Sequence, residues 1–177
     1  MTLVVGDPMQ RDLVALLPRL RRFARGLAGS LDAADDLVQA ACERALANRQ
    51  QWQVGTRLDS WMYRIVQNLW IDQLRANKRW QQAGEDALAS IPANDMARAV
   101  EARLELAAVR SAIDTLPAEQ RAVLMLVTVE GQSYRNAAEI LDVPIGTVMS
   151  RLARARLTLA ERRAGTAQRP ANQKATP

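Results

Sequence analysis

Apolar positions along this chain recur with the period of an α-helix rather than that of a β-strand. In the first such segment, the apolar residues are Leu13, Leu16, Leu17, Leu20, Phe23, Ala24 and Leu27. Arginines occupy much of the opposite side. Three- and four-residue spacing places the apolar side chains on one face, which predicts an amphipathic helix. Gly26 and Gly29 are expected to end it.

A second helix is predicted to begin near Asp32 and to end before Gly55. Its apolar stripe consists of Ala34, Leu37, Val38, Ala41, Ala45 and Leu46. The polar positions between them begin with Asp35, Asp36 and Gln39. An acidic, hydrogen-bonding helix face on a basic protein is either a solvated surface or a site for docking another protein.

A third helix is predicted to begin at Asp59 or Ser60, both good N-cap residue types. Its core face is expected to carry Trp61, Ile65 and Leu69. A separate polar stripe at helical spacing consists of Arg64, Asn68, Asp72, Arg75 and Arg79.

The basic end of this third helix admits two interpretations. The cations either compensate the helix dipole at its C-terminus or hold nucleic acid. Aromatic residues nearby, which would stack melted bases, are Trp61, Tyr63, Trp70 and Trp80. Trp61 is expected to be a core residue in either case.

Periodicity is lost over residues 81–96, which combine Gly84 and Pro92 with acidic residues. This composition predicts a flexible linker between a domain at 8–80 and one at 97–163, each with its own core. Helical patterning resumes from about residue 97 to residue 113. The polar residues 164–177 are expected to form a disordered tail.

The second domain contains a helix-turn-helix pattern within residues 116–156. A short helix is followed by a turn with Pro144 and Gly146, and then by a second helix. The inward face of that second helix is predicted to carry Val148, Leu152, Ala155 and Leu159. Its outward face carries Thr147, Ser150, Arg151 and Arg154. Arginines on a helix after a tight turn are typical of a DNA major-groove reader, the alternative being a solvated basic helix.

Composition and charge support this interpretation. Good helix formers dominate the apolar 49% of the chain, which predicts an all-α fold. The net charge of +5 is divided into +4 over residues 1–80, −3 over 81–116 and +4 over 117–177. Two basic blocks around an acidic one favour two polyanion-binding modules with a connector.

Residue types that are missing exclude several function classes. The chain has no histidine and one cysteine, Cys42. It therefore has no intrachain disulfide, no His/Cys zinc site and no histidine-based catalysis, and no cofactor is expected. No apolar run reaches the length of a membrane span, and the chain is expected to be cytoplasmic.

Three motifs in order resemble those of bacterial extracytoplasmic-function (ECF) sigma factors of the sigma-70 family. They are Asp35-Asp36-Leu37-Val38-Gln39, the segment 61–72 beginning Trp61-Met62-Tyr63-Arg64, and the segment 116–156. The resemblance implies sigma region 2 in the first domain and sigma region 4 in the second. It covers roughly residues 10–80 and 105–163, with residues 81–96 matching the family's short linker.

The resemblance also implies partners for each motif. The first of the three motifs lies on the second predicted helix, and its residues Asp35, Asp36 and Gln39 would dock on the clamp helices of the largest subunit of core RNA polymerase. The stripe on the third helix (Arg64, Asn68, Asp72, Arg75 and Arg79), with the loop 54–59, would read and melt the promoter −10 element. The recognition helix (Thr147, Ser150, Arg151 and Arg154), together with Arg135, would read the −35 element. An anti-sigma factor is the family's common regulator.

Departures from the family pattern affect the contact surface rather than the fold. Asp35 replaces the usual Glu, and Ala40 replaces an acidic residue. Arg135-Asn136 stands where two acidic residues are common, and Met149 stands where Lys or Arg is usual. A particular promoter sequence therefore cannot be transferred from the family. Two other readings remain at this point: a conventional helix-turn-helix regulator, and an enzyme, which the missing catalytic motifs disfavour.

Overall fold

The computed structural model describes residues 8–53, 55–82 and 107–167, and they form helices joined by short turns. The helices are α1 (Pro8–Ala28), α2 (Leu31–Ala47), α3 (Leu58–Gln82), α4 (107–114), α5 (Ala118–Leu124), α6 (Tyr134–Leu141) and α7 (Ile145–Ala167). A 3₁₀ turn covers Arg49–Gln51, and a π-helical turn covers Met125–Val129. These ranges contain no strand, so the predicted all-α class is confirmed. No helix among them is long and apolar enough to cross a membrane.

The N-terminal module consists of α1, α2 and α3 packed side by side. Leu20, Phe23 and Leu27 of α1 are completely buried, as their spacing predicts. Gly29 ends α1 with a φ of +81°, a conformation that glycine adopts at no steric cost. The expectation that Gly26 helps to end the helix is wrong, because α1 continues to Ala28. Ser30 then caps α2, and its side chain accepts a hydrogen bond from the Ala33 backbone N–H at 3.2 Å.

The buried face of α3 differs from the predicted one. The fully buried residues are Met62, Tyr63, Val66 and Trp70. The predicted core residues Trp61, Ile65 and Leu69 are only half-buried at the edge of the core. The physical reason is that α3 packs against α1 and α2 and also against α6. A helix covered by two neighbouring layers buries a wider arc than the single stripe of a surface helix.

The C-terminal module is a helix-turn-helix formed by α6 and α7 on top of α5. Ser133 caps α6, accepting a hydrogen bond from the Asn136 backbone N–H at 3.1 Å. Asp142 makes the turn with a left-handed φ of 52°. Gly146 was expected in this turn but lies in the first turn of α7. The predicted inward face of α7 is confirmed: Val148, Leu152 and Ala155 are buried, and Leu159 is half-buried.

The expectation that the two modules have separate cores is wrong. The buried side chains of both modules form one continuous cluster, which runs from Leu20 in α1 to Leu126 in the π-helical turn. At the junction, a Cβ atom added to Gly26 would overlap the Met125 side chain, so α1 and this turn are in direct contact. A helical glycine permits this close approach of Met125 to the α1 backbone.

The predicted linker falls mostly outside the described residues. Helix α3 continues through Gln82, two residues into the segment assigned to the linker. Helix α7 continues through Ala167, so the first four residues of the predicted disordered tail are helical. The remaining linker residues, the helical segment expected from residue 97 to residue 106 and the rest of the predicted tail lie outside the described ranges. Those assignments, including linker flexibility, stay predictions.

Candidate nucleic-acid and polymerase interfaces

The outer face of α2 presents its polar residues to solvent. Asp35, Asp36 and Gln39 are all exposed, whereas Leu37 and Val38 between them are buried. Asp35 accepts a hydrogen bond from the Arg21 Nε at 3.2 Å, and Gln39 donates one to Glu43 at 3.0 Å. Both contacts stay on the surface of the N-terminal module. This side of α2 is therefore open to a partner.

The polar stripe of α3 is exposed along its length, and its first residue contacts the C-terminal module. The five residues are Arg64, Asn68, Asp72, Arg75 and Arg79. The Arg64 guanidinium donates a hydrogen bond to the backbone carbonyl of Glu139 in α6. Arg75 lies 3.7 Å from the Asp72 carboxylate on the same helix. The stripe therefore begins at an intermodule contact and ends in solvent.

The loop before α3 also touches the C-terminal module. Its Arg57 is paired with Asp59 at 2.8 Å and donates a hydrogen bond to the Gln132 Oε1 at 2.9 Å. Burial by itself would raise the pKa of Asp59. Hydrogen bonds from Arg57, the Ser60 backbone N–H and Gln132 outweigh burial, so the pKa of this carboxyl lies below its ordinary value of 3.8.

Two of the aromatic residues considered for stacking on melted DNA are core residues. Tyr63 is fully buried, with its ring at 5.0 Å from the Phe23 ring in an edge-to-face arrangement. Trp70 is also buried, and the guanidinium of Arg121 lies 5.7 Å from the centre of its ring. These two rings are therefore unavailable to bases. Trp61 stays half-exposed, and the Trp80 side chain lies outside the described residues.

The proposed recognition helix α7 presents its outward residues unequally. Ser150 and Arg154 are exposed, and Thr147 is half-buried. Arg151 is held by an ion pair with Glu119 of α5 at 2.7 Å, which leaves its side chain 22% exposed. Arg135 lies on α6 and is exposed.

One cleft between the modules brings together residues predicted to read two different promoter elements. It has a volume of about 490 Å³. The N-terminal module contributes Asn68, Asp72 and Arg75, while the C-terminal module contributes Arg151 with its partner Glu119. Arg64, Arg79, Ser150 and Arg154 are not among the residues that line it. The sequence contains no indication of this juxtaposition.

Sequence reasoning missed an acid whose side chain is completely buried between the two modules, Glu130. Its carboxylate accepts two hydrogen bonds from Arg22, at 2.8 and 3.0 Å. The Tyr63 hydroxyl donates a third at 2.6 Å, and the Arg19 guanidinium lies 3.5 Å away. The sequence feature that could have identified Glu130 is its position at the end of an apolar run, directly before Gly131. Burial raises the pKa of Tyr63, and the hydrogen bond to Glu130 raises it further.

Arg121 is a second residue that the pattern did not single out. Its guanidinium donates a hydrogen bond at 2.8 Å to the backbone carbonyl of Leu27, in the last turn of α1. The last carbonyls of a helix have no partner within the helix, so an arginine from α5 supplies one. Burial lowers the pKa of Arg121, and the carboxylate of Asp114 at 3.3 Å opposes that shift.

Over the described ranges, an all-α fold with an arginine-bearing helix-turn-helix is typical of transcription proteins that bind DNA. No group of acidic and cysteine residues capable of holding a metal occurs within the described ranges. Family models for sigma-70 region 4 and for the sigma2 domain of PhyR match residues 106–159 and 13–67.

Several curated relatives are similar over most of the chain. The ECF RNA polymerase sigma factor EcfG of Rhodopseudomonas palustris is 39% identical over 86% of this chain and 83% of the relative. Sigma factor SigM of Mycobacterium tuberculosis is 37% identical over 80% of this chain and 70% of its own length.

A similar solved structure is that of the sigma factor RpoE in complex with the anti-sigma factor NepR from Bartonella quintana. It has a TM-score of 0.72 and 33% identity, covering 88% of this chain and 96% of that chain. The chain belongs to the ECF family of RNA polymerase sigma factors. It is a sigma factor that directs RNA polymerase to promoters for transcription initiation, and a conventional helix-turn-helix regulator is not favoured.

Proposed function

We propose that the two modules of this sigma factor divide promoter recognition and polymerase binding among three surfaces. The face of α2 at Asp35, Asp36 and Gln39 binds the clamp helices of the largest polymerase subunit. The polar stripe of α3, from Arg64 to Arg79, binds the −10 element with the loop before it. The outward side of α7, with Thr147, Ser150, Arg151 and Arg154, binds the −35 element together with Arg135.

The observation that carries the polymerase assignment is the exposure of α2. Asp35, Asp36 and Gln39 are exposed, and the hydrogen bonds of Asp35 and Gln39 go to Arg21 and Glu43 of the N-terminal module, while the intervening apolar residues are buried in the core. Charge on an interface of this kind steers association and selects the partner. The surface is therefore available for docking before any change in the arrangement of the modules.

The DNA assignments are supported by side-chain chemistry. Arginine is suited to guanine edges and to phosphates because its guanidinium donates in a fixed fork. Arg154 is exposed on α7, and Arg75 and Arg79 are exposed on α3. The stripe also contains Asn68, whose amide can both donate to and accept from a base edge.

The proposed partners are core polymerase, promoter DNA and an anti-sigma factor. Support for the last is that two similar solved chains, RpoE and CnrH, are bound to NepR and to the cytosolic domain of CnrY. CnrH is 27% identical with a TM-score of 0.64. We place this protein in the cytoplasm, without a cofactor and without catalysis of its own, because its role is to bind and direct the polymerase.

The polymerase assignment is tested by Asp36→Arg. A charge reversal at an exposed site usually changes the free energy of unfolding by less than about 0.5 kcal/mol. An unfavourable charge at a complementary interface weakens binding by several kcal/mol. The experiment is a pull-down of core polymerase with purified wild-type and variant chains, with circular dichroism to check helicity.

Asp12→Arg is the matched control, because Asp12 is an exposed acid on α1, nine residues before the Arg21 that pairs with Asp35. It makes the same charge change and is expected to leave the pull-down unaffected. Equal capture of polymerase by folded Asp36→Arg and wild-type chains would remove Asp36 from the interface.

A further inference from the structure

The two modules are held together by a buried ionic cluster around Glu130. The carboxylate comes from the C-terminal module, and its partners Arg19, Arg22 and Tyr63 come from α1 and α3 of the N-terminal module. A buried charge without a partner is strongly destabilising, whereas a paired one with several hydrogen bonds is tolerated. This cluster therefore fixes one orientation of the modules, in which all three partners reach the same acid.

The orientation is incompatible with simultaneous binding of two promoter elements. Residues of both proposed DNA surfaces line the same cleft of about 490 Å³, and Arg151 is engaged by Glu119 inside it. A cleft of this volume is too small to hold a B-DNA duplex, whose major groove alone is about 12 Å wide, so a duplex does not fit between the modules. Elements about 25 base pairs apart are separated by roughly 85 Å at 3.4 Å per base pair. The modules must separate before both elements are contacted.

The α2 face differs because it stays exposed in this closed arrangement. Core polymerase is therefore able to meet the closed chain, and only the DNA surfaces wait for opening. A protein whose binding-competent state is a minor fraction has its apparent affinity reduced by that fraction.

We propose that the Glu130 cluster is an autoinhibitory latch, which keeps the free sigma factor closed and weakens its binding to promoter DNA until the modules separate. This inference rests on the proposed DNA surfaces. The latch differs from a general electrostatic effect in one prediction. Removing either partner of the Glu130–Arg22 ion pair strengthens DNA binding, although the two variants change the net charge in opposite directions.

The test uses Glu130→Gln and Arg22→Gln in the full-length chain. Glu130→Gln makes the protein more positive and Arg22→Gln makes it less positive, so a general electrostatic effect on DNA binding would have opposite signs. Opening is expected to strengthen binding in both, by about 10-fold or more if the open fraction is small in the wild type. The probe is a duplex that carries both the −35 and the −10 element of a promoter transcribed in vitro by wild-type chain plus core polymerase, because the closed arrangement excludes binding to the two elements together.

Arg21→Gln is the matched control on the same helix. Arg21 is paired with Asp35 inside the N-terminal module, so its loss removes one positive charge without touching the latch. It is expected to show wild-type compactness and no gain in affinity. Small-angle X-ray scattering measures the radius of gyration of each chain without DNA, and circular dichroism checks helicity. Arg22 is half-exposed, so Arg22→Gln tests the latch even if Glu130→Gln does not fold.

The latch is supported if Glu130→Gln and Arg22→Gln, or Arg22→Gln alone where the first does not fold, expand the chain and tighten binding. Folded variants with the wild-type radius of gyration and affinity would overturn it, as would affinity changes that follow the sign of the charge. A loss of promoter binding in Arg154→Ala, measured on the same duplex, would be independent of those results, so a failed latch is distinguishable from a failed assignment of the DNA surfaces.

Discussion

The α2 face and the proposed DNA-contacting faces of the same molecule are presented very differently. Asp35, Asp36 and Gln39 are exposed, and their contacts lie inside the N-terminal module. Arg64 is hydrogen-bonded to α6 across the modules, and Arg151 lines the cleft between them. The proposed assignments therefore predict an order of events, in which polymerase is bound first and promoter DNA afterwards. Both surfaces belong to one folded unit, because the cores of the two modules are continuous.

The largest effect is expected from a substitution in the core that the two modules share. Met125→Ala removes the side chain that packs on Gly26 of α1 and is expected to cost about 2–5 kcal/mol of unfolding free energy. All four tryptophans lie in residues 52–80, so their fluorescence reports on the N-terminal half. Because the modules share a core, the tryptophan transition should shift with the transition seen by circular dichroism. A tryptophan transition identical to the wild type would mean that the modules unfold separately.

The next largest effect concerns the two arginines Arg151 and Arg154 of α7. Arg151→Ala and Arg154→Ala are each expected to weaken promoter binding by about 1–3 kcal/mol, since each removes a base or phosphate contact. Of these two arginines, Arg151 is ion-paired with Glu119 of its own module, so Glu119→Gln should strengthen DNA binding through Arg151 by at most about 1 kcal/mol. Titration of a labelled promoter duplex measures all three. Wild-type affinity in both alanine variants would remove α7 from the DNA interface.

The smallest effect concerns acid stability at the loop before α3. The folded-state pKa of Asp59 lies below its ordinary value of 3.8, so ionised Asp59 stabilises the folded chain above that pH. This contribution is lost as the pH falls through the lowered pKa. Asp59→Asn is therefore expected to flatten the decline of stability below pH 3.8, measured by urea unfolding at several pH values. An unchanged pH profile would show that Asp59 does not supply this dependence.

Local features of the sequence were sufficient for the helices and for the class of protein. The predicted stripe of α1 is buried except for Leu17, which is half-buried, and Val148, Leu152 and Ala155 of α7 are buried as their spacing predicts. Helical periodicity depends on which side of a helix is apolar, and this is encoded within a few turns. The exposed positions of Asp35, Asp36 and Gln39 follow from the same local rule, because their apolar neighbours take the inward positions.

The tertiary structure alone decided which polar groups meet across the modules. Glu130 contacts Arg22, which lies 108 positions away in sequence, and no local period links them. The same packing buries Tyr63 and Trp70 and leaves Trp61 half-exposed, because α3 is covered by elements from both modules. A helix pattern records how much of a surface is apolar. It does not record which distant element covers that surface, and this choice is made by packing shape and by the pairing of buried charges.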